Sequence, residues 1–119
     1  MRTCLALLFA CFLFGAAGSV QAGESGFLSA YEDLPLPTGI VETPGSGLSF
    51  DTPAGRIVEA YAGGPGKAAE VRGFYAETLP QLGWVKTGAD TYRRDDERLA
   101  IDARQQGRQV VVHFTISPE

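Results

Sequence analysis

Between residues 98 and 117 the chain alternates. Leu99, Ile101 and Ala103, then Val110, Val112 and Phe114, are apolar at every second position, with Arg98, Asp102, Arg104, Gln109, His113 and Thr115 between them. A period of two belongs to extended strands with one dry face and one wet face. Centring a two-residue turn on Gln106-Gly107 sets Ala103 against Val110, Ile101 against Val112 and Leu99 against Phe114, all on one face. The other face then pairs Arg104 with Gln109, Asp102 with Val111, Ala100 with His113 and Arg98 with Thr115. A one-residue slip mixes the two sets, so the pattern selects which side chains face the core.

The same period extends upstream through Trp84 to Thr87 and Thr91 to Arg94. Turns at Asp95-Asp96 and Gly88-Ala89 place Tyr92 opposite Leu99, Val85 opposite Tyr92, and Trp84 beside Arg93. Trp84 is read as packing at the end of the core. Val110 to Ile116 is too apolar for an open edge and belongs inside the sheet, beside Arg56 to Ala62. Leu48 to Asp51 is a short first strand, and Gly63-Gly64-Pro65-Gly66 is read as the break that ends the second.

One segment has helical spacing. Ala68, Val71, Phe74, Tyr75, Thr78, Leu79 and Leu82 line one stripe of a helix over residues 67–79. Pro80 cannot donate to an earlier carbonyl, and Gly83 suits a left-handed cap. The expected fold is α+β in two layers, a single helix packed on a mainly antiparallel sheet, in the order ββαββββ.

Residues 23–47 form a Pro/Gly-rich extended arm ahead of a small α+β domain at 48–119. Pro35, Pro37 and Pro44 forbid a regular helix there. Gly23 to Ala30 reads as a tether, and Leu34 to Val41 as a stretch that touches the domain. Tyr31, Leu34, Leu36 and Ile40 are candidates for docking on a partner.

Residues 1–22 have the layout of a secretory signal peptide: a basic start at Arg2, an apolar run from Cys4 to Ala17, and small residues ending at Ala22. Cleavage there leaves 97 of the 119 residues, exported to the periplasm or secreted. The alternative, a lipid anchor at Cys11, fits poorly, because the apolar run continues to Phe14 and Phe9 is bulky for a cleavage site. The run is also shorter than the ~20 residues that cross a bilayer, so no stable span is expected after cleavage. Cys4 and Cys11 are the only cysteines, which leaves the exported part without disulfide, thiolate or Cys ligand. Its nine Lys/Arg against fourteen Asp/Glu argue against nucleic acid.

Motifs of chemistry are sparse. Gly64-x-Gly66-x-x-Ala69 lacks the βαβ context of a dinucleotide turn, so it is read as a strand-to-helix link. Asp90, Asp95, Asp96 and Glu97 lack calcium-loop spacing and are read as a solvated turn. One histidine and no exported cysteine leave no zinc set. No catalytic, cofactor or metal residues are expected.

Phe74-Tyr75-Ala76-Glu77-Thr78-Leu79-Pro80-Gln81-Leu82-Gly83-Trp84 resembles a pattern, FY-x3-LP-x-LGW, of an uncharacterised family of small exported proteobacterial proteins. The resemblance spans residues 33–118. It implies Phe74, Leu79 and Leu82 as core, Pro80 and Gly83 as the helix stop, and Trp84 as the anchor of the next strand. It implies no activity.

The functional expectation is an exported, non-enzymatic binding or accessory module of the cell envelope, with an envelope protein or small ligand as partner. Its candidate surface is the polar sheet face with Arg98, Asp102, Arg104 and His113. The alternative is a small extracytoplasmic enzyme using His113 and Asp102 as an oriented base.

Overall fold

A computed structural model describes residues 26–119. Residues 1–22, where a signal peptide is expected, and Cys11 among them lie outside the described residues. The elements run β1 (Val41–Glu42), β2 (Leu48–Thr52), β3 (Gly55–Pro65), α1 (Ala68–Thr78), β4 (Val85–Lys86), β5 (Thr91–Arg94), β6 (Glu97–Gln106) and β7 (Gln109–Pro118). This is an α+β fold with one α-helix and a seven-stranded sheet ordered β1-β3-β7-β6-β5-β4, in which β2 also pairs with β3 and every described pairing is antiparallel. Relative to the expected order, a two-residue strand is added at the start. Among the described residues no helix is long and apolar enough to cross a membrane.

The alternation in β6 and β7 does set the faces. Leu99, Ile101, Ala103, Val110, Val112, Phe114 and Ile116 are all buried. The pairing differs from the expected one by two residues: Ala103 faces Val112, Ile101 faces Phe114 and Leu99 faces Ile116. The loop is Gly107-Arg108, with Gly107 at φ 61. A two-residue hairpin with glycine first is the arrangement a type II′ turn favours. A shift of two leaves every side chain on its own face. β7 lies inside the sheet between β3 and β6, as its apolar character requires.

Tyr92 pairs with Leu99 as expected, but β4 is displaced by one, with Val85 against Arg93. The connection is longer than two residues, because the Thr87 and Gly88 N–H groups both donate to the Thr91 carbonyl at 2.9 and 3.3 Å. Val85 therefore turns outward and Trp84 inward. Trp84 is buried, and the guanidinium over its ring, 4.6 Å from the centroid, is that of Arg94 rather than Arg93.

Nor does β3 stop at Gly63. It runs on to Pro65, paired with Val111, Val110 and Gln109 of β7. The glycines serve close approach: a Cβ on Gly64 would collide with the backbone carbonyl of Gly39. The chain turns only at Gly66, at φ 143, whose N–H donates to the Arg108 carbonyl at 3.1 Å.

Ala68, Val71, Tyr75 and Leu79 bury one stripe of the helix region. Regular helix ends at Thr78, a 3-10 turn carries Leu79–Leu82, and Gly83 caps it in the left-handed region at φ 91. Leu82 is exposed, so of the three core residues implied by the resemblance only Leu79 is fully buried, with Phe74 packed at the margin.

The larger correction concerns the arm. Leu28, Tyr31, Leu34, Leu36 and Ile40 are all core residues. Residues 26–40 close on themselves through Leu28 N–H to Leu34 O (3.0 Å) and Leu36 N–H to Gly26 O (2.7 Å), and they share with α1 the covering of the sheet's inner face. Tyr75 ties the two together by donating its hydroxyl to the Pro35 carbonyl at 2.8 Å. The tether reading of Gly23 to Ala30 thus fails from residue 26 onward, while Leu34 to Val41 touches the domain as expected, through the buried Leu34, Leu36 and Ile40. The four docking candidates Tyr31, Leu34, Leu36 and Ile40 are buried in this chain's own core and present nothing to a partner.

Tyr31, Tyr75 and Tyr92 hold their protons above the ordinary tyrosine range, each chiefly because burial disfavours the phenolate; Glu97 adds to the effect at Tyr31 and Asp90 at Tyr92. A value raised by folding supplies stability that is complete below about pH 10 and is lost as pH climbs past it. The melting temperature is expected to fall as pH is raised from about 10 to about 12. Tyr75→Phe, measured over the same range, is expected to flatten that fall.

Candidate functional site

With α1 and residues 26–40 on the inner face, the outer face of the sheet stands uncovered. The cross-strand rows define it. Tyr61 of β3, His113 of β7 and Asp102 of β6 form one row, and Gly63, Val111 and Arg104 form the next. Glu59, Thr115 and Ala100 follow on the other side, and Arg98 lies further along β6 opposite Ser117. All four expected surface residues, Arg98, Asp102, Arg104 and His113, share this face.

The true register brings Asp102 directly opposite His113, but it does not build a dyad. The Asp102 carboxylate accepts from Arg104 Nε at 2.9 Å. Among the described residues no hydrogen bond joins His113 to Asp102 or Thr115. The imidazole instead stacks flat on Tyr61, with ring centroids 4.2 Å apart and planes 2° from parallel. Its Nε2 lies 3.4 Å from Glu59 Oε1, yet the two are not aligned for a hydrogen bond, and that nitrogen has no partner among the described residues. A general base needs an orienting partner and an open lone pair. Here the nitrogen is covered and Asp102 is engaged elsewhere, so the geometry gives the enzyme reading no support.

The other chemical candidates are accounted for structurally. Asp90 pairs with Arg72 at 3.5 Å, and Glu97 accepts from the Tyr31 hydroxyl at 3.0 Å. Among the described residues no three His, Cys, Asp or Glu converge as a metal set. At the start of α1 the first helical N–H, that of Ala68, donates to Gln105 Oε1 at 2.8 Å. Gln105 Nε2 reaches the carbonyls of Gly66 and Gly107, at 2.9 and 3.0 Å. One side chain thereby fastens the hairpin tip to the helix start and occupies the place an anion would take.

The outer face also holds apolar residues outside the expected polar surface. Val41, Leu48, Phe50, Tyr61 and Val85 are 64%, 51%, 46%, 43% and 64% exposed, and all five sit on it by their register with Gly63, Glu59, Ile57, His113 and Arg93. Ile57 and Val111 lie on the same side, half-buried. A signal was present: Ile57 and Tyr61 are apolar at positions out of phase with Val58, Ala60 and Ala62. A strand that is apolar at both phases has something to cover on both sides.

The edge strand that carries Leu48 and Phe50 is held in place by Ser46. Its hydroxyl lies 2.7 Å from the Thr43 carbonyl and 3.1 Å from both the carbonyl and the N–H of Tyr61, so it fills the gap between β1 and β2. Compared with known proteins, the chain matches no family model, no curated protein and no solved structure.

Proposed function

We propose that this chain is an exported, non-enzymatic binding or accessory module of the cell envelope, periplasmic or secreted, that presents the outer face of its sheet to a partner protein or a small ligand. The observation that carries this reading is the grouping of Val41, Leu48, Phe50 and Tyr61, four of the seven large hydrophobics exposed among the described residues, on β1, β2 and β3 of that single face, with Val85 alone at its far edge. Scattered apolar side chains need no explanation, whereas a contiguous set rimmed by polar groups marks a contact surface. Two layers, with helix and arm on one side only, leave that surface open. The leader pattern of residues 1–22 supports export. The excess of acidic residues argues against nucleic acid, and a cleaved leader leaves no membrane span.

The test has two arms. Cell fractionation and N-terminal sequencing are expected to find the chain outside the cytoplasm, beginning at Gly23. A photo-crosslinking residue at Phe50, buried in nothing of its own, is expected to capture an envelope component, while the same probe at the exposed Glu77 on the helix captures none. Retention in the cytoplasm with an intact start would overturn export. Equal labelling from both positions would overturn the choice of surface.

A further inference from the structure

The outer face contains two adjoining hollows, of about 450 and 280 Å³. They meet at Val111 and Gln106. The larger is floored by Gly63, where β3 presents bare backbone between Val41 and Val111. The smaller runs beside Tyr61, held upright by its stack on His113, to the Asp102–Arg104 pair. We propose that these hollows form a carbohydrate-binding site, taking adjacent pyranose rings of an envelope glycan; this rests on the outer face being the recognition surface.

The ligand class follows from the lining. The floor is apolar and flat, and an aromatic ring stands beside it. Its rim is made of planar side chains with unused hydrogen-bonding capacity. Among the described residues Gln106 and Gln109 make no side-chain hydrogen bonds. Arg104 engages only Nε, leaving its terminal nitrogens free, and Asp102 retains one oxygen. Each carboxamide offers two donors and an acceptor, and the guanidinium offers donors alone. A partner that suits this set carries donors and acceptors side by side around a ring with apolar C–H faces, which describes a sugar. A simple anion would meet the Asp102 carboxylate. A lipid tail would leave the rim unpaired, which is unfavourable once water is excluded. The hollows are shallow and open, so a single ring makes few contacts. A polymer that repeats the same contact gains by proximity what each unit lacks.

The experiment uses the exported chain purified from the envelope. Chitotetraose and cellotetraose are titrated against it while amide NMR shifts are followed, and co-sedimentation is run with purified peptidoglycan sacculi and, separately, with lipopolysaccharide. Saturable shifts at Gly63, Gln106 and Val111 are expected, with pelleting by at least one polymer; the two polymers distinguish the source of the glycan. Arg104→Ala with Gln106→Ala, and separately Tyr61→Ala, are expected to weaken binding about tenfold or more, with far-UV circular dichroism unchanged. Arg104, Gln106 and Tyr61 are exposed, so the fold is expected to survive these changes. Absence of saturable binding to every glycan, or binding indifferent to both variants, would overturn the site. A specific protein crosslink from Phe50 alongside either result would leave the binding-module reading standing without it.

Discussion

Deleting residues 26–40 is expected to abolish the cooperative unfolding transition of this domain. Five side chains leave the core with that segment: Leu28, Tyr31, Leu34, Leu36 and Ile40. Burying a leucine or isoleucine contributes roughly 1.5–3 kcal/mol. A domain of this size holds only about 5–15 kcal/mol in all, so their joint loss exceeds what the rest can supply. The deletion also strips the inner face at specific points. Tyr75 loses the acceptor for its hydroxyl, and Arg94 loses the Tyr31 hydroxyl (2.7 Å) and the Asp33 carboxylate (3.3 Å). A single truncation gives a graded version: Leu34→Ala is expected to cost about 2–5 kcal/mol. Urea titration of the two variants against the parent decides it. Had residues 26–40 been a tether, both curves would overlay the parent.

The second large effect is expected at Trp84. It joins the arm to the sheet, with its ring 6.4 Å from that of Tyr31 and beneath the Arg94 guanidinium. Arg94 also donates to the Leu82 carbonyl at 3.0 Å, which holds the 3-10 turn against the ring. Trp84→Ala is expected to cost about 3–5 kcal/mol, the usual range for emptying a buried aromatic site. Trp84→Phe is expected to cost only about 1–2 kcal/mol, because the buried indole Nε1 has no partner among the described residues. Removing an unpaired donor relieves a desolvation penalty that offsets part of the lost volume. The comparison is made on urea midpoints at constant slope. Equal losses for the two variants would show that the indole N–H is satisfied after all.

Much of the sheet was legible because alternation is a strong code. Leu99, Ile101, Val112 and Phe114 could be assigned to the core from their phase alone, and that assignment survived an error in the turn. Register is a weaker inference than face: a pairing shift of two residues changes every partner and no orientation. The displacement of β4 by one residue did change orientation, and Val85 is the result. Irregular core is harder to read. The apolar residues from Leu28 to Ile40 follow no helix or strand period, since Pro35 and Pro37 prevent either, so contact of Leu34 to Val41 with the domain is legible from apolar content but their place in the core, and that of Leu28 and Tyr31, is not. Gly63-Gly64-Pro65 looked like a break for a similar reason, because a glycine needed for close backbone approach is indistinguishable in sequence from one needed for a turn. At the candidate site the polar residues were found, but the apolar ones were not. The strand holding Tyr61 is legibly apolar on both faces, but nothing in Leu48 to Asp51 tells which side of the sheet Leu48 and Phe50 take.

The interior position of β7 governs when the domain can close. On one side residues 58–65 pair with β1 and β2, which precede them closely in sequence, but on the other their partners are 109–116, and β6 shares that same strand. The β2-β3 and β5-β6 pairs form from neighbouring segments, but the two halves of the sheet meet only through β7, so the slow step is a long-range encounter rather than local zippering. The two half-sheets are therefore fused in a single event, the insertion of β7 between β3 and β6.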